Sequence, residues 1–292
     1  MKRLTIVKGN KSINLDVESK KFLLGNCEIK YEILKCLKLF FSKEKSEFRK
    51  ENNEEISILV NERKIDLKRS RFFYVDDQYS IIEDSKLSTK SLMTKYYEIK
   101  YAKEEYFEMV NTLNILLESF EEELNENSEL KVKLNPFIAK QLLKISKPEI
   151  IDEFQKDEYD FSQEELILFQ LKLIQYIQKN NTEFETTIIY VRTPKITNKI
   201  QEQIDRIQNS IILIETNFYD QNMNINEILL CEKMILDLND ENTLYYLISQ
   251  EINYRCTLEE VNTMIKKYII EKYTNSNTGL LNTIKKLSPY NH

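Results

Sequence analysis

Short alternating runs of hydrophobic and polar residues fill the first 85 positions of the chain, and these runs predict β-strands. The segments Arg3–Val7 and Ser12–Val17, separated by Gly9 and Asn10, predict a hairpin. A third short strand is predicted at Lys21–Leu24. The chain therefore begins with β structure.

A helix and two further strands complete this first region. After the third strand, apolar residues recur with helical spacing at Ile29, Ile33, Leu34, Leu37 and Phe40. The segments Ile56–Val60 and Phe72–Val75 are rich in β-branched and aromatic residues, which favours strands. The connection between these two strands is basic and reads NERKIDLKRSR.

From about Thr89 the pattern changes to a helical one. A heptad-like seam predicts a long helix, or two helices with a bend, and it comprises Tyr106, Val110, Leu113, Leu117, Phe120 and Leu124. Pro136 and Pro148 mark expected starts of new helices. Ser162 and Glu165 form the pattern of a capping box, so another helix is predicted at Ser162–Asn180.

Strands and helices alternate again in the last third. Strands at Thr186–Val191 and Ser210–Thr216 flank a helix that carries Ile200 and Ile204, which predicts a parallel βαβ unit. The apolar run Thr243–Ile248 predicts a late strand. A capping box at Thr257 and Glu260 predicts a last helix.

This order of elements predicts an α/β protein with a discontinuous domain. Residues 1–85 and 181–292 are expected to form one α/β head, a degenerate version of the P-loop NTPase fold. Residues 86–180 are expected to form an inserted, elongated, all-helical leg.

The strand–loop–helix around Gly25 resembles a phosphate-binding motif but lacks its chemistry. A Walker A loop reads G-x-x-x-x-G-K-[ST]; counted from Gly25, the sixth residue is Lys30 and the seventh is Tyr31. The second glycine and the hydroxyl that would hold Mg²⁺ are both missing. With 3 glycines in the whole chain, we expect no nucleotide and assign this stretch to architecture.

Acidic residues near the ends of two predicted strands resemble a Walker B element. Asp76 and Asp77 follow one apolar run, and Glu215 lies near the end of another. Acids at strand ends are common, and without a phosphate loop they would have little role in catalysis. We favour the structural interpretation.

The composition excludes several classes of site. The single histidine is His292, so Ser-His and Cys-His catalysis lack their base. Four cysteines (Cys27, Cys36, Cys231 and Cys256) stand far apart, which favours free thiols over a metal site. No apolar run has the length of a membrane span or of a signal-peptide core, so we expect a cytoplasmic protein that does not contact membranes.

Charge is distributed unevenly along the chain. Residues 1–80 hold 18 Lys and Arg against 13 Asp and Glu, residues 81–180 hold 13 against 20, and residues 181–292 hold 11 against 15. The net charge of −6 argues against a uniformly basic nucleic-acid binder. A local basic face can still bind nucleic acid.

Two basic clusters are the candidates for such a face. The first contains Arg63, Lys64, Lys68, Arg69 and Arg71, and the second contains Arg192, Lys195 and Lys199. If the first lies in an extended strand, Arg69 and Arg71 share a face. Phosphate contacts need only cations at suitable spacing. A solvated edge strand protected by its charges is the alternative.

An acidic stretch is the candidate for a cation site. Glu118, Glu122 and Glu126 are spaced four residues apart on a predicted helix. Calcium takes six to eight oxygen ligands, which such a face and nearby carbonyls could supply. A solvated helix face is the alternative.

The order of elements resembles the Csn-two family, the accessory spacer-acquisition proteins of type II-A CRISPR systems. The stretches that carry this resemblance lie between about residues 20 and 250, and they are SKKFLLGNCEIKYEILKCL, EISILVNERKIDLKRSRFFYVDD, the long acidic helix to Glu126, FETTIIYVRTPKITNKIQEQIDRIQNSIILIETNFYD and ENTLYYLI. Order and spacing carry the resemblance, not one diagnostic motif. The chain resembles a longer or divergent subfamily.

The resemblance implies a function in antiviral defence. It implies a non-enzymatic homotetrameric ring whose positively charged hole takes double-stranded DNA from a free end, with little sequence preference, during CRISPR adaptation. It implies calcium ions that hold head and leg, for which Glu118, Glu122 and Glu126 are the candidates. It also implies two partners, the integrase complex and the RNA-guided effector nuclease, and it makes both basic clusters candidates for the DNA-facing surface.

Two other functions stay open at this point. One is a P-loop-like nucleotide-dependent enzyme, against which the missing glycine and hydroxyl speak. The other is a protein–protein scaffold that uses the tyrosine-rich helical region and never contacts DNA.

Overall fold

The computed structural model describes residues 2–42, 56–126, 129–149, 158–180, 183–220, 223–232, 235–251 and 256–274. The chain divides into two compact units. The first comprises Met1–Asp76, Phe184–Gln201 and Asn209–His292, and the second comprises Asp77–Glu183 and Glu202–Gln208.

The strands of the described residues all lie in the first unit. In chain order they are β1 (Lys2–Lys8), β2 (Lys11–Val17), β3 (Lys20–Gly25), β4 (Ile56–Val60), β5 (Arg63–Lys64), β6 (Ser70–Val75), β7 (Thr186–Arg192), β8 (Ser210–Glu215), β9 (Ile228–Cys231) and β10 (Ile235–Asp237).

The helices of the described residues are shared between the units. In chain order they are α1 (Cys27–Phe41), α2 (Ile81–Ser85), α3 (Leu92–Tyr101), α4 (Glu104–Asn125), α5 (Ala139–Ile145), α6 (Gln163–Asn180), α7 (Asn198–Asp205), α8 (Glu241–Glu251) and α9 (Leu258–Tyr273). Single 3₁₀ turns occur at Leu67–Arg69, Glu158–Asp160 and Ile225–Glu227.

Two sheets build the first unit. The smaller sheet is antiparallel, with the strand order β2-β1-β4-β5. The larger sheet has the order β10-β9-β3-β8-β7-β6, and its neighbouring strands are parallel except for β10. Because parallel strands end at the same edge, the carboxyl ends of β3, β6, β7, β8 and β9 meet along one edge of this sheet.

The buried core of the first unit explains the sequence pattern of its strands. Strand β8 is buried along its whole length, as expected for a parallel strand that is covered on both faces. Helix α1 adds Ile33, Leu34 and Leu37 to the same cluster, which also contains Leu4 and Leu15 of the smaller sheet. One hydrophobic core therefore joins α1 and both sheets.

The second unit is helical in its described part. Helix α3 packs against α5 and α6, and α4 contacts α5. Asp84, at the end of α2, accepts hydrogen bonds from the backbone N–H groups of Leu92 and Met93 at 2.9 and 2.8 Å, which fixes the start of α3. Of the described residues of α4, Val110 alone is buried.

Most of the predicted elements are confirmed. The first hairpin, the helix after β3 and the parallel β7–α7–β8 unit are present. Of the two alternatives for the region after Thr89, two helices are present, because one helix ends at Tyr101 and the next begins at Glu104. Both predicted capping boxes form: the side chain of Glu165 accepts from the Ser162 backbone N–H, and that of Glu260 accepts from Thr257. A helix follows Pro136, whereas the helix expected after Pro148 falls on residues 150–157, outside the described part.

One strand prediction is wrong. Thr243–Ile248 lies within helix α8. The Asp240 side chain accepts a 3.1 Å hydrogen bond from the Thr243 N–H, and its carbonyl accepts from Leu244 N–H, so Asp240 starts a helix at this point. Leu244 is buried while Tyr245 and Tyr246 are exposed, which is the pattern of a helix with one buried face.

The late strands of the sheet are instead β9 and β10. Each is too short for periodicity to reveal, because an apolar run of three or four residues fits several structures. Pairing with β3, which is distant in sequence, fixes β9 in the sheet.

No helix within the described residues is both long enough and apolar enough to cross a bilayer.

Candidate nucleic-acid interface

Arg69 and Arg192, one from each predicted basic cluster, lie at opposite ends of the neighbouring strands β6 and β7. Strands β6 and β7 run parallel, with Ser70 beside Thr186 and Val75 beside Val191. Arg69 precedes β6, whereas Arg192 ends β7. Six residues of extended chain span about 20 Å, so the fold separates the clusters.

The first cluster begins in a tight hairpin between β4 and β5. Asn61 and Glu62 both have positive φ, at 49° and 66°, as a two-residue type I′ turn requires. The turn pairs Val60 with Arg63 and Leu59 with Lys64, so Lys64 lies on the edge strand β5. Arg63 and Lys64 are both exposed.

Lys68 lies in the 3₁₀ turn that follows this hairpin. The Asp66 side chain accepts a 2.9 Å hydrogen bond from the Lys68 backbone N–H and so caps the turn. The Lys68 side chain is exposed. We call Arg63, Lys64 and Lys68 the hairpin patch.

Arg69 and Arg71 have different surroundings from the hairpin patch. The Arg69 guanidinium lies 2.5 Å from the Glu185 carboxylate, in an ion pair whose side chains are both more than half exposed. Arg71 is half-buried, and its guanidinium lies 3.5 Å from the centroid of the Phe184 ring. The condition under which the two arginines would share a face, a common extended strand, is not met, because Arg69 ends the 3₁₀ turn and Arg71 lies in β6. Both arginines attach the start of β6 to the segment before β7.

The second cluster begins at the carboxyl edge of the larger sheet. Arg192 and Glu215 are register partners on β7 and β8, and the Arg192 Nε lies 3.5 Å from Glu215 Oε1. A hydrogen bond with the Tyr74 hydroxyl, and then the Glu215 charge, raise the pKa of Arg192 above its ordinary value. The arginine is therefore held in place with its charge intact while its side chain stays largely exposed.

Tyr74 and Tyr190 form the polar layer beneath Arg192. Burial, with the nearby Asp76 charge as the second cause, raises the pKa of Tyr74 to about 12. The Tyr190 hydroxyl donates to Glu215 at 2.8 Å, and burial and then the charge of that carboxylate raise the pKa of Tyr190. Both phenols are therefore neutral at physiological pH; Tyr190 donates to Glu215, whereas Tyr74 accepts from Arg192.

Sequence reasoning missed Lys38, which belongs to the second cluster. Its ammonium lies 3.6 Å from the centroid of the Tyr74 ring. Desolvation lowers the pKa of Lys38, the Asp76 charge opposes this, and Arg192 adds to it. Lys38 is an exposed position on α1 within an otherwise ordinary amphipathic pattern, so only the fold shows its proximity to Arg192.

Lys195 and Lys199 complete this edge of the sheet. Thr193 fixes the loop that carries Lys195, since its hydroxyl donates to the Lys195 carbonyl at 2.8 Å. Lys199 lies in the first turn of α7, and both lysine side chains are exposed. We call Lys38, Arg192, Lys195 and Lys199 the edge patch.

The connection after β3 leaves no room for a phosphate loop. β3 ends at Gly25 and α1 begins at Cys27, so Asn26 alone joins them. Asn26 caps the helix, because its side chain accepts from the Glu28 N–H at 2.7 Å, and its own N–H donates to the Cys231 carbonyl. The Glu28 N–H in the first turn of the helix is thus capped by the protein itself.

Lys30, which sequence counting marked as the candidate phosphate ligand, is completely buried. Its ammonium donates to the Thr216 carbonyl at 3.2 Å and to the Asn217 side-chain oxygen at 2.9 Å. These bonds tie α1 to the end of β8. The lysine therefore has a structural role.

Helix α9 closes the same turn from the other side. A Cβ atom at Gly25 would lie 2.2 Å from the Cys231 carbonyl oxygen and 3.3 Å from the Tyr273 hydroxyl. Glu232, which follows Cys231 in the chain, accepts hydrogen bonds from Tyr268, Lys272 and Tyr273 at 2.6 to 2.7 Å.

The Cys231 thiol gives a test of this closed turn. Burial raises the pKa of Cys231 to about 12, whereas Cys27 is exposed. At pH 8 the thiolate fraction of Cys231 is then more than about 1,000-fold below that of an ordinary thiol. We expect iodoacetamide to label Cys27 in the native protein, and Cys36, Cys231 and Cys256 only after urea unfolding. Peptide mass spectrometry gives the readout; native labelling of Cys231 at the rate of Cys27 would show that the turn opens.

The acidic candidates lie on the exposed surface of α4 and at its end. Glu118, Glu122 and Glu126 are all exposed. Within the part of the chain that the structure describes, no three histidine, cysteine or acidic side chains converge as a metal site requires. The three glutamates therefore do not converge with other possible ligands in the described residues, and calcium binding stays a prediction.

Of the known proteins compared with this chain, solved structures match it in fold. No protein-family model and no curated protein matches the chain. The crystal structure of Stu0660 of Streptococcus thermophilus matches with a TM-score of 0.63 and 16% sequence identity, over 88% of this chain and 82% of that chain. Stu0660 is a protein of the Csn-two family. The chain therefore has a mixed α/β fold that also occurs in a CRISPR-associated protein.

Proposed function

We propose that this protein is a non-catalytic double-stranded DNA-binding protein of CRISPR spacer acquisition. In this proposal it forms a homotetrameric ring in the cytoplasm and takes duplex DNA from a free end without reading its sequence. The observation that carries the proposal is the likeness in fold to Stu0660 over most of both chains.

The closed turn after β3 supports the non-catalytic part of the proposal. A P-loop NTPase needs several free backbone N–H groups and a lysine that reaches the phosphates. Here one residue connects strand to helix, and the buried Lys30 donates to Thr216 and Asn217. We therefore propose that the first unit is a P-loop-like head without a working phosphate loop. A nucleotide-dependent enzyme is correspondingly disfavoured.

The exposed cations support a phosphate-contacting surface. Lys64 and Lys68 of the hairpin patch and Lys195 and Lys199 of the edge patch have exposed side chains. Arg192 is held by Glu215 and Tyr74 with its side chain largely exposed. Arg69 and Arg71 contribute less, because one is ion-paired and the other is stacked on a ring.

The surface of α4 supports self-association. Large apolar side chains of this helix are exposed to solvent by 41 to 67%, and they include Phe107, Met109, Leu113, Ile115, Leu116, Phe120 and Leu124. Most of them lie near the predicted heptad seam, which makes one apolar side of the helix. A monomer rarely exposes so many large apolar residues together, and a second copy of the chain would cover them in a ring.

The remaining parts of the proposal come from the family resemblance. They are calcium as a cofactor, and the integrase complex and the RNA-guided effector nuclease as partners. No step of DNA binding proposed here depends on calcium.

DNA binding itself is tested with linear and closed-circular duplexes of the same sequence, across a salt series, with and without calcium. We expect preference for the linear form and a steep fall of affinity with salt. Two charge-reversal variants separate the patches: Lys64→Glu with Lys68→Glu, and Lys195→Glu with Lys199→Glu. The variant of the DNA-facing patch should lose about tenfold or more in affinity, and the salt slope should fall by about 0.9 for each lost phosphate contact.

Lys266→Glu with Lys267→Glu is the matched control, since both lysines are exposed on α9 and the charge change is the same. It should leave binding close to that of the unmodified protein. Absence of DNA binding at every salt concentration would contradict the proposal and favour the scaffold function. ATP turnover that disappears with Lys30→Met would revive the nucleotide-dependent enzyme.

A further inference from the structure

Four tyrosines and two lysines form a cluster within the helical second unit. Tyr96, Tyr97 and Tyr101 come from α3, and Tyr176 comes from α6. The ring centroids of Tyr96 and Tyr176 are 4.7 Å apart, those of Tyr96 and Tyr97 5.0 Å, and those of Tyr97 and Tyr101 5.5 Å. The rings therefore make one continuous aromatic surface, and all four side chains remain partly exposed.

The ammonium groups of the two lysines lie over these rings. The Lys100 ammonium lies 5.7 and 5.9 Å from the centroids of Tyr96 and Tyr97, and the Lys103 ammonium lies 5.0 Å from that of Tyr176. Lys103 also hydrogen-bonds with the Tyr176 hydroxyl. Counting described residues only, neither ammonium has an ion pair.

This lack of ion pairs is notable in an acidic region. Residues 81–180 hold 20 acidic against 13 basic residues, and exposed Glu98, Glu104 and Glu105 are close in sequence. A solvated helix face in such a region would pair its lysines with these carboxylates. Glu105 attracts Lys103 from outside ion-pair distance. Two positive charges without a close carboxylate, among hydroxyl groups and aromatic rings, complement an anionic ligand that also has flat rings.

We propose that the cluster of Tyr96, Tyr97, Tyr101, Tyr176, Lys100 and Lys103 is a binding site for unpaired nucleotides of a single strand. Bases stack on tyrosine rings and the phosphates between them contact the lysines, which is the chemistry of sequence-tolerant single-strand binding. The site is separate in kind from the hairpin and edge patches, which offer cations without such an array of rings. It does not require that those patches bind duplex DNA.

The chemistry of the cluster favours nucleic acid over a protein partner. The large side chains that α4 exposes besides its glutamates are aliphatic residues and phenylalanines, which suit a protein surface. The tyrosine–lysine cluster has the opposite character, since each of its rings carries a hydroxyl and each of its charges is positive. Two faces of different chemistry in the same unit indicate two different occupants.

The absence of tryptophan from the chain gives a direct assay. Tyr97→Trp places a single fluorescent indole in the cluster, and Tyr246→Trp places one on α8, where the native side chain is 61% exposed. The probe is an unlabelled thymidine oligonucleotide of about 12 nucleotides, added at low salt. We expect saturable quenching of the indole fluorescence in the Tyr97→Trp protein and none in the Tyr246→Trp control.

Affinity for the same oligonucleotide, measured with a labelled strand, identifies the groups responsible. Tyr97→Leu should weaken binding by about tenfold, as loss of one stacking platform does, while Tyr97→Phe should retain most of it. Lys100→Gln with Lys103→Gln should weaken binding and flatten its salt dependence. Circular dichroism of each variant confirms that the helices are intact, and binding of a blunt duplex is measured in parallel.

Each result decides the question. If the variants lose single-strand binding and keep duplex binding, the proposal is supported. It is also supported if the variants lose single-strand binding and the unmodified protein itself binds no duplex. Equal loss of both would show a general duplex contact and overturn it. No quenching, or emission that responds to protein dilution and not to the oligonucleotide, would overturn it in favour of a protein–protein contact.

Discussion

Replacing Gly25 by alanine is expected to lower the free energy of unfolding by about 2–6 kcal/mol, because two separate costs add at this position. Gly25 has φ of +110°, a region that residues with a Cβ rarely adopt, and the added methyl would lie 2.2 Å from the Cys231 carbonyl oxygen. That oxygen also accepts the hydrogen bond of Asn26, so it has little freedom to move. Urea unfolding followed by far-UV circular dichroism measures the change.

Gly9→Ala separates the two costs. Gly9 also has positive φ, at 55°, but it lies exposed in the β1–β2 turn. The backbone penalty alone is about 1–2 kcal/mol, so the control should lose much less stability. A Gly25→Ala protein no less stable than the Gly9→Ala protein would show that the turn between β3 and α1 is loosely held.

Lys21→Met should be comparably damaging, with an expected loss of about 3–5 kcal/mol in the free energy of unfolding. The Lys21 ammonium is buried, lies 2.5 Å from Asp237 Oδ1 and donates to the Asn226 carbonyl at 3.1 Å. Methionine fills a similar volume but leaves the largely buried Asp237 carboxylate without its cation.

The exposed pair of Arg3 and Asp16 is the matched control for Lys21. Its Nε–Oδ1 distance is 2.9 Å, but 53% of the arginine side chain is exposed. Arg3→Met should therefore cost far less stability than Lys21→Met. A second variant, Lys21→Met with Asp237→Leu, should recover much of the lost stability, because a buried pair replaced as a whole is far less costly than a pair that is broken. Equal effects of the two single substitutions would show that Lys21 is not buried in solution.

Elements with strong local patterns could be predicted from the sequence, and elements fixed by distant partners could not. The α1 periodicity and the capping boxes at Ser162 and Thr257 are local, and each appears as expected. The short strand β9 exists because it pairs with β3, which lies near the start of the chain. Thr243–Ile248 has a strand-like composition, but the Asp240 cap and one buried face make it a helix.

The candidate site shows the same division. The basic residues could be found from sequence, because charge and spacing are visible there. The surroundings of these residues could not be found from sequence. Arg69 forms an ion pair with Glu185, and the Arg71 guanidinium stacks on the Phe184 ring. Lys38 approaches Arg192 only because α1 packs on the sheet. Counting glycines argued against a phosphate ligand at Lys30, but the partners that Lys30 has, Thr216 and Asn217, depend on the fold.

The position of β3 in the larger sheet has a consequence for synthesis on the ribosome. β3 is complete at Gly25, yet its two neighbours are β8 and β9, which end at Glu215 and Cys231. The small antiparallel sheet can close once Lys64 has emerged. Strand β3 cannot pair with both of its neighbours until the chain has been synthesised as far as Cys231. Both backbone edges of β3 therefore stay unpaired through most of translation. We expect this strand to be the segment where a chaperone is needed and where premature association with another chain begins.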